Sequence, residues 1–266
     1  MADTHRIGNG LSATVKAEGA ELCSLLDADG RELMWDGASA WPNHSPVLFP
    51  IVGTLAHDRL LVDGHSFPMA RHGFARRRRF EWIERSQVSC SLVLRDDAET
   101  RAVFPFAFSL NLSYRVEAGA LRTEYILHNP GDRALPASLG AHPAFRWPLR
   151  RGTASDHRIT FAEDEPGPIH RLQDNLLDSA ARPSPLQGRV LDLHPGLFAD
   201  DAIIMLEPRS RQLRYEGPEG GIEFGWEGFP HLGLWQKPGA ELLCIEPWHG
   251  YASRPAGTAN SRTSPV

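Results

Sequence analysis

Glu246 follows the apolar run Leu242, Leu243, Cys244 and Ile245, and precedes Pro247 and Trp248. The run reads as a buried strand. Proline cannot donate the next ladder hydrogen bond, so the strand is predicted to end there. That would set a carboxylate at a strand mouth beside an indole face, where desolvation raises its pKa and suits it to general-base work. A solvated strand-end glutamate is the plainer alternative. His142 sits between Gly140-Ala141 and Pro143, with Phe145 and Trp147 close behind. Imidazole titrates nearest neutrality and can give or take a proton readily, although a structural loop histidine is the plainer reading of that setting. A third group is Arg71-His72, two adjacent nitrogen donors ahead of Gly73, which permits a tight turn, and Phe74, which can anchor it.

Taken in order, Met69-Ala70-Arg71-His72-Gly73-Phe74-Ala75-Arg76, Gly140-Ala141-His142-Pro143-Ala144-Phe145 and Cys244-Ile245-Glu246-Pro247-Trp248-His249-Gly250 resemble the aldose 1-epimerase (galactose mutarotase-like) family. The resemblance is closest to its LacX-like bacterial branch and runs from residue 19 to residue 252. Stretches at 32–35, 45–53, 105–108 and 198–202 support it. It implies a large antiparallel β-supersandwich with an open cleft, and interconversion of the α and β anomers of an aldohexose. Ring opening needs a proton taken from the C1 hydroxyl and one given to the ring oxygen, which one base and one acid can supply without metal or redox cofactor.

By the same resemblance, Glu246 is the base, His142 the acid, and the two exchange roles on closure. His72, Arg71 and Asp201 would bind the sugar, with Asp200 the near-equal alternative to Asp201, and nearby carboxylates would favour a protonated His142. Two departures bear on substrate choice. Gly53-Thr54 stands where many relatives have Gly-Arg, so Arg59 or Arg71 would have to replace that arginine. Ala144 stands where the well-studied galactose mutarotases have tyrosine.

The remaining chain must position these groups. Phe106, Phe108, Leu110, Leu112, Tyr114 and Val116 alternate with smaller or polar residues, the signature of a half-buried antiparallel strand. Leu121, Thr123, Tyr125 and Leu127 continue it beyond a turn at 117–120, predicting a hairpin. Further short strands are predicted at 89–94, 157–161, 202–206, 212–215, 221–226 and 232–235. With 24 glycines and 21 prolines between them, only a turn or two of helix is expected, at 97–103 or 169–174. The fold class is therefore all-β, a sandwich over residues 1–251 as one domain, with 252–266 a flexible tail.

A net charge of −5 gives no nucleic-acid footprint. Cys23, Cys90 and Cys244 lie far apart in apolar segments, which points to reduced thiols and a cytoplasmic protein. No apolar run approaches the ~20 residues of a membrane span. The 12 histidines show no HxxxH, HxH or HExxH spacing, so no metal is expected. A small-molecule sugar is the expected partner, to a monomer or homodimer. Two alternatives stay open. A hexose-6-phosphate 1-epimerase would draw on Arg71, Arg76 and Arg77 for phosphate, and a non-catalytic carbohydrate-binding sandwich would not need both His142 and Glu246. Trp147, Trp235 and Trp248 are candidates for a sugar-facing ring.

Overall fold

A computed structural model describes residues 3–255. The alternating segment buries one set of side chains: Phe106, Phe108, Leu110, Leu112 and Tyr114 are core, and Val116 is half-buried. The regular strand within it is Ser109–Glu117, which pairs in full register with Ala120–His128. Their two-residue turn, Ala118-Gly119, has positive φ at both positions (48° and 76°), the hairpin geometry whose twist matches the flanking strands. Ser89–Arg95 and Glu81–Arg85 complete this four-stranded antiparallel sheet.

The largest sheet has six strands. Its path runs Ile203–Met205, His231–Trp235, Leu242–His249, Leu139–Ala141 and Val47–Leu48, and Ala144–Arg146 also pairs with Leu242–His249. Both faces of that sheet are covered. Leu243 and Ile245 face the main core with Leu232 and Leu234, while Cys244, Glu246 and Trp248 point to the other side.

The helix predicted at 97–103 is present as Ala98–Val103, opened by a capping box between Asp97 and Thr100. The alternative at 169–174 is not helical. His170 exchanges both backbone hydrogen bonds with Ile204 (2.8 and 3.0 Å), Ile169 does the same with Arg182, and Leu172–Gln173 pairs with Leu176–Leu177. A six-residue helix would forfeit those ladders for little return. No helix among the described residues is long and apolar enough to cross a membrane.

Two boundaries differ from expectation. The site strand does not stop at Pro247 but continues to His249, with Pro247 opposite Leu232. Ile245 donates its N–H to the Pro143 carbonyl (3.2 Å), so the nitrogen two residues on faces the same edge. There the facing chain is interrupted at His142-Pro143, between Leu139–Ala141 and Ala144–Arg146, so proline's missing donor falls in a gap. The expected tail also starts too early. Ala252 is buried against Gly53, and Ser253 donates to the Thr54 carbonyl (2.9 Å). Residues 256–266 of that expected tail lie outside the described residues.

Candidate active site

The break that accommodates Pro247 also delivers the histidine. His142 lies between two short strands that both pair with Leu242–His249, and its Nε2 comes 3.2 Å from Oε2 of Glu246. Glu246 is 2% exposed and His142 7%, so water is largely excluded from the pair. The carboxylate is thus in mid-strand rather than at a strand mouth.

Aromatic rings enclose the imidazole. Trp41 stacks on it at 5.1 Å and 29°, and Trp235 (5.8 Å) and His72 (5.7 Å) meet it edge-on. Trp235 is the sequence-nominated tryptophan beside His142, whereas Trp147 belongs to the main core and Trp248 to a second apolar cluster. Trp41 escaped the sequence reading, because one tryptophan in the polar loop at 36–46 carries no periodic signal.

Burial sets the proton affinities. His142 is pushed down to about 3, first by desolvation and then by the Arg71 charge, which reverses the expectation of a histidine held protonated. Desolvation drives Glu246 well above the usual carboxylate range; Arg71 opposes that rise and Asp201 adds to it. Both effects favour uncharged forms, a neutral imidazole beside a protonated carboxyl.

Arg71 and His72 come from the turn before Ala75–Arg77. His72 takes a left-handed backbone (φ 63°), as does Gly73 (φ 71°), where any Cβ would run into the Phe49 carbonyl. His72 Nδ1 faces the Gly53 N–H at 3.1 Å, and its Nε2 faces Arg71 Nε at 3.2 Å. A neutral imidazole accepts at only one nitrogen. When Gly53 donates to Nδ1, Nε2 carries the hydrogen, and it and Arg71 then offer two adjacent donors to one acceptor. Arg71 also donates to Asn175 Oδ1 (3.0 Å), on the turn joining Leu172–Gln173 to Leu176–Leu177. Arg59 does not replace the missing arginine, since it is exposed and bonded to Ser66.

Asp201, not Asp200, acts electrostatically on Glu246. Asp200 is exposed and paired with Arg182 (3.1 Å). A left-handed turn at Asp201 (φ 66°), rather than strand alternation, separates the two. Arg171, which no motif singles out, donates to the Asp201 and Leu197 carbonyls.

Two groups among the described residues have metal-binding donors in proximity: Glu21, Cys23 and His44, and His142, Cys244 and Glu246. In the first, Glu21 is committed to Lys16 and to the backbone N–H groups of His44 and Ser45.

The family model described as aldose 1-epimerase matches residues 3–215. The chain belongs to the aldose 1-epimerase family. That match contains Arg71, His72, His142 and Asp201 and ends before Glu246. The plasmid-encoded protein LacX of Lactococcus lactis subsp. lactis is 31% identical over 257 residues, covering 91% of this chain and 86% of its own. Among solved structures, a galactose mutarotase related enzyme from Lactobacillus acidophilus is 28% identical with a TM-score of 0.87, covering 97% of this chain and 89% of that one. A galactose mutarotase-like protein from Lactobacillus casei ATCC 334 is 27% identical with a TM-score of 0.86, covering 94% and 88%. This all-β member of the family therefore has the galactose mutarotase-like fold.

Proposed function

We propose that the protein interconverts the α and β anomers of an unphosphorylated aldohexose by acid–base ring opening and reclosure. The observation that carries this reading is the His142–Glu246 pair, 3.2 Å apart in a dry aromatic box. Two neutral-leaning groups sharing one proton provide one acid and one base in either arrangement. Burial favours the proton on Glu246; once it passes to His142 across their 3.2 Å contact, Glu246 takes the C1 hydroxyl hydrogen while His142 protonates the ring oxygen. Opening returns the carbonyl form, rotation about C1–C2 exposes the other face, and the roles reverse on closure. The Arg71 and His72 donors fit a sugar oxygen, the Asp201 carboxylate fits a hydroxyl donor, and Trp41 or Trp235 offers an apolar ring to the C–H face.

The neutral sugar is favoured over a 6-phosphate because much of the arginine run is already engaged. Arg78 pairs with the exposed carboxylates of Asp97 and Glu99, and Arg79 with the half-buried Asp3. Arg76 donates to the Arg71 carbonyl (3.0 Å).

Exchange NMR on equilibrated glucose, galactose and glucose 6-phosphate tests the proposal. Faster exchange for a neutral hexose is expected, falling ~10²–10⁴-fold in Glu246→Gln and in His142→Gln, the usual contribution of such groups. The two losses should not multiply in the double variant, since the groups act as a unit. Wild-type rates in folded single variants would sink the role assignment. Acceleration confined to the phosphate would sink the substrate.

A further inference from the structure

Cys244 has no part in that chemistry, yet it completes a cluster around the pair. Two residues apart on Leu242–His249, Cys244 and Glu246 point to the same side of the sheet. Ala144, two residues beyond His142, is paired with Cys244. The thiol, imidazole and carboxylate ligand atoms all lie within 4.8 Å of one another, and all three residues are buried. Glu246 Oε2 is buried and, beyond its 3.2 Å approach to His142 Nε2, meets no protein group in hydrogen-bond geometry.

The geometry points to an inhibitory site for a thiophilic divalent cation, zinc(II) in the first instance, built from His142, Cys244 and Glu246. Thiolate, imidazole and carboxylate are zinc's usual ligands. Bonds of about 2.0–2.3 Å at tetrahedral angles place ligand atoms roughly 3.3–3.8 Å apart. His142 Nε2 and Glu246 Oε2 are already 3.2 Å apart, so a small side-chain rotation brings in the sulfur. Charge also balances. The cation replaces one proton on the Cys244 thiol and one on the Glu246 carboxyl, both released to solvent, and the loaded site stays neutral in a dry setting. The Arg71 charge, which acts on both His142 and Glu246, works against a cation. This is accordingly a site that fills at raised zinc and silences the acid–base pair, not a resident cofactor centre. The inhibitory consequence rests on the proposed function; the binding does not.

The test titrates the metal-stripped full chain with cobalt(II), following thiolate-to-cobalt charge-transfer absorption, and then displaces it with zinc(II). One equivalent with thiolate absorption is expected. It should vanish in Cys244→Ser and in Cys244→Ala and persist in Cys23→Ser, which removes the only thiol of the other cluster. In parallel, zinc should inhibit anomer exchange in the wild type. Even second-shell losses weaken metal sites 10–100-fold, so the inhibitory concentration should rise at least ~100-fold without Cys244. Absent thiolate absorption, absorption lost with Cys23 instead, or equal zinc sensitivity without Cys244 would each overturn the inference. Should both Cys244 variants unfold, His142→Gln removes a second ligand and must also abolish the one-equivalent cobalt signal. If no sugar is turned over at all, the proposed function fails, and the cobalt spectrum still decides the site.

Discussion

Arg171 donates from Nη1 to the backbone carbonyl of Asp201 at 2.6 Å, and so holds the loop that carries a candidate sugar ligand. Its Nη2 takes the Leu197 carbonyl at 2.8 Å, and the side chain is buried. The left-handed turn at Asp201 is thus clamped by a guanidinium from a distant segment. Hydrogen bonds from a charged donor contribute about 1.5–3 kcal/mol each.

Arg171→Gln is accordingly expected to lower stability by about 3 kcal/mol or more. Loosening Asp201 should also weaken sugar binding by about 1.4 kcal/mol, a tenfold rise in KM, with kcat changed less. Asp201→Asn should reproduce the KM effect without the stability loss. Steady-state anomer exchange and urea denaturation measure both. A destabilised Arg171→Gln with unchanged KM would make Arg171 structural only.

The sequence carried much of this architecture, for reasons that differ by residue. The set from Phe106 to Tyr114 was legible because strand alternation maps one-to-one onto burial. Glu246 and His142 stood out by residue type and setting, but their contact depends on two short strands pairing with one long one, which no local pattern encodes. Pro247 misled for the same reason: whether a strand ends at proline depends on which edge its nitrogen faces. Arg171 and Trp41 carried no signal, one being an arginine among many and the other a ring in a polar loop.

Acid stability should report the neutral state of His142. The folded protein holds this imidazole near 3, through burial first and Arg71 second. The unfolded chain takes up a proton near the ordinary value of about 6.5. Between those values unfolding binds a proton, so the stability due to neutral His142 is complete above the ordinary value and drains away as pH falls. Glu246 works in the opposite sense, because its raised pKa keeps a proton that the unfolded chain has lost, and its contribution fades as pH rises. His142→Gln removes only the first effect. From pH 7 to 5 the wild type should lose roughly 2 kcal/mol more stability than His142→Gln, integrated over one group. Denaturant titrations at the two pH values give the comparison, and equal losses would mean that the folded protein protonates His142.

The last prediction concerns the wall beside Glu246. Trp248 shares its face of the strand and is flanked by two glycines at opposite ends of the indole. A Cβ on Gly233 would stand 2.5 Å from Cη2 and Cζ2, and one on Gly140 would stand 2.8 Å from Cδ1. Neither glycine has positive φ, so alanine suits the backbone and only space forbids it. Overpacking of this kind typically destabilises by 1–3 kcal/mol, or about 2–4 °C per kcal/mol in a chain of this size. Gly233→Ala should therefore lower Tm by several degrees and, by tilting Trp248 against its neighbour Glu246, slow anomer exchange. Gly225→Ala is the control, since the nearest atom to its Cβ is the Arg211 carbonyl at 3.7 Å. The decisive readout is coupling: Trp248→Phe should relieve part of the Gly233→Ala loss, because the smaller ring vacates the contested volume. Strictly additive losses would show that Gly233 is not there to make room for Trp248.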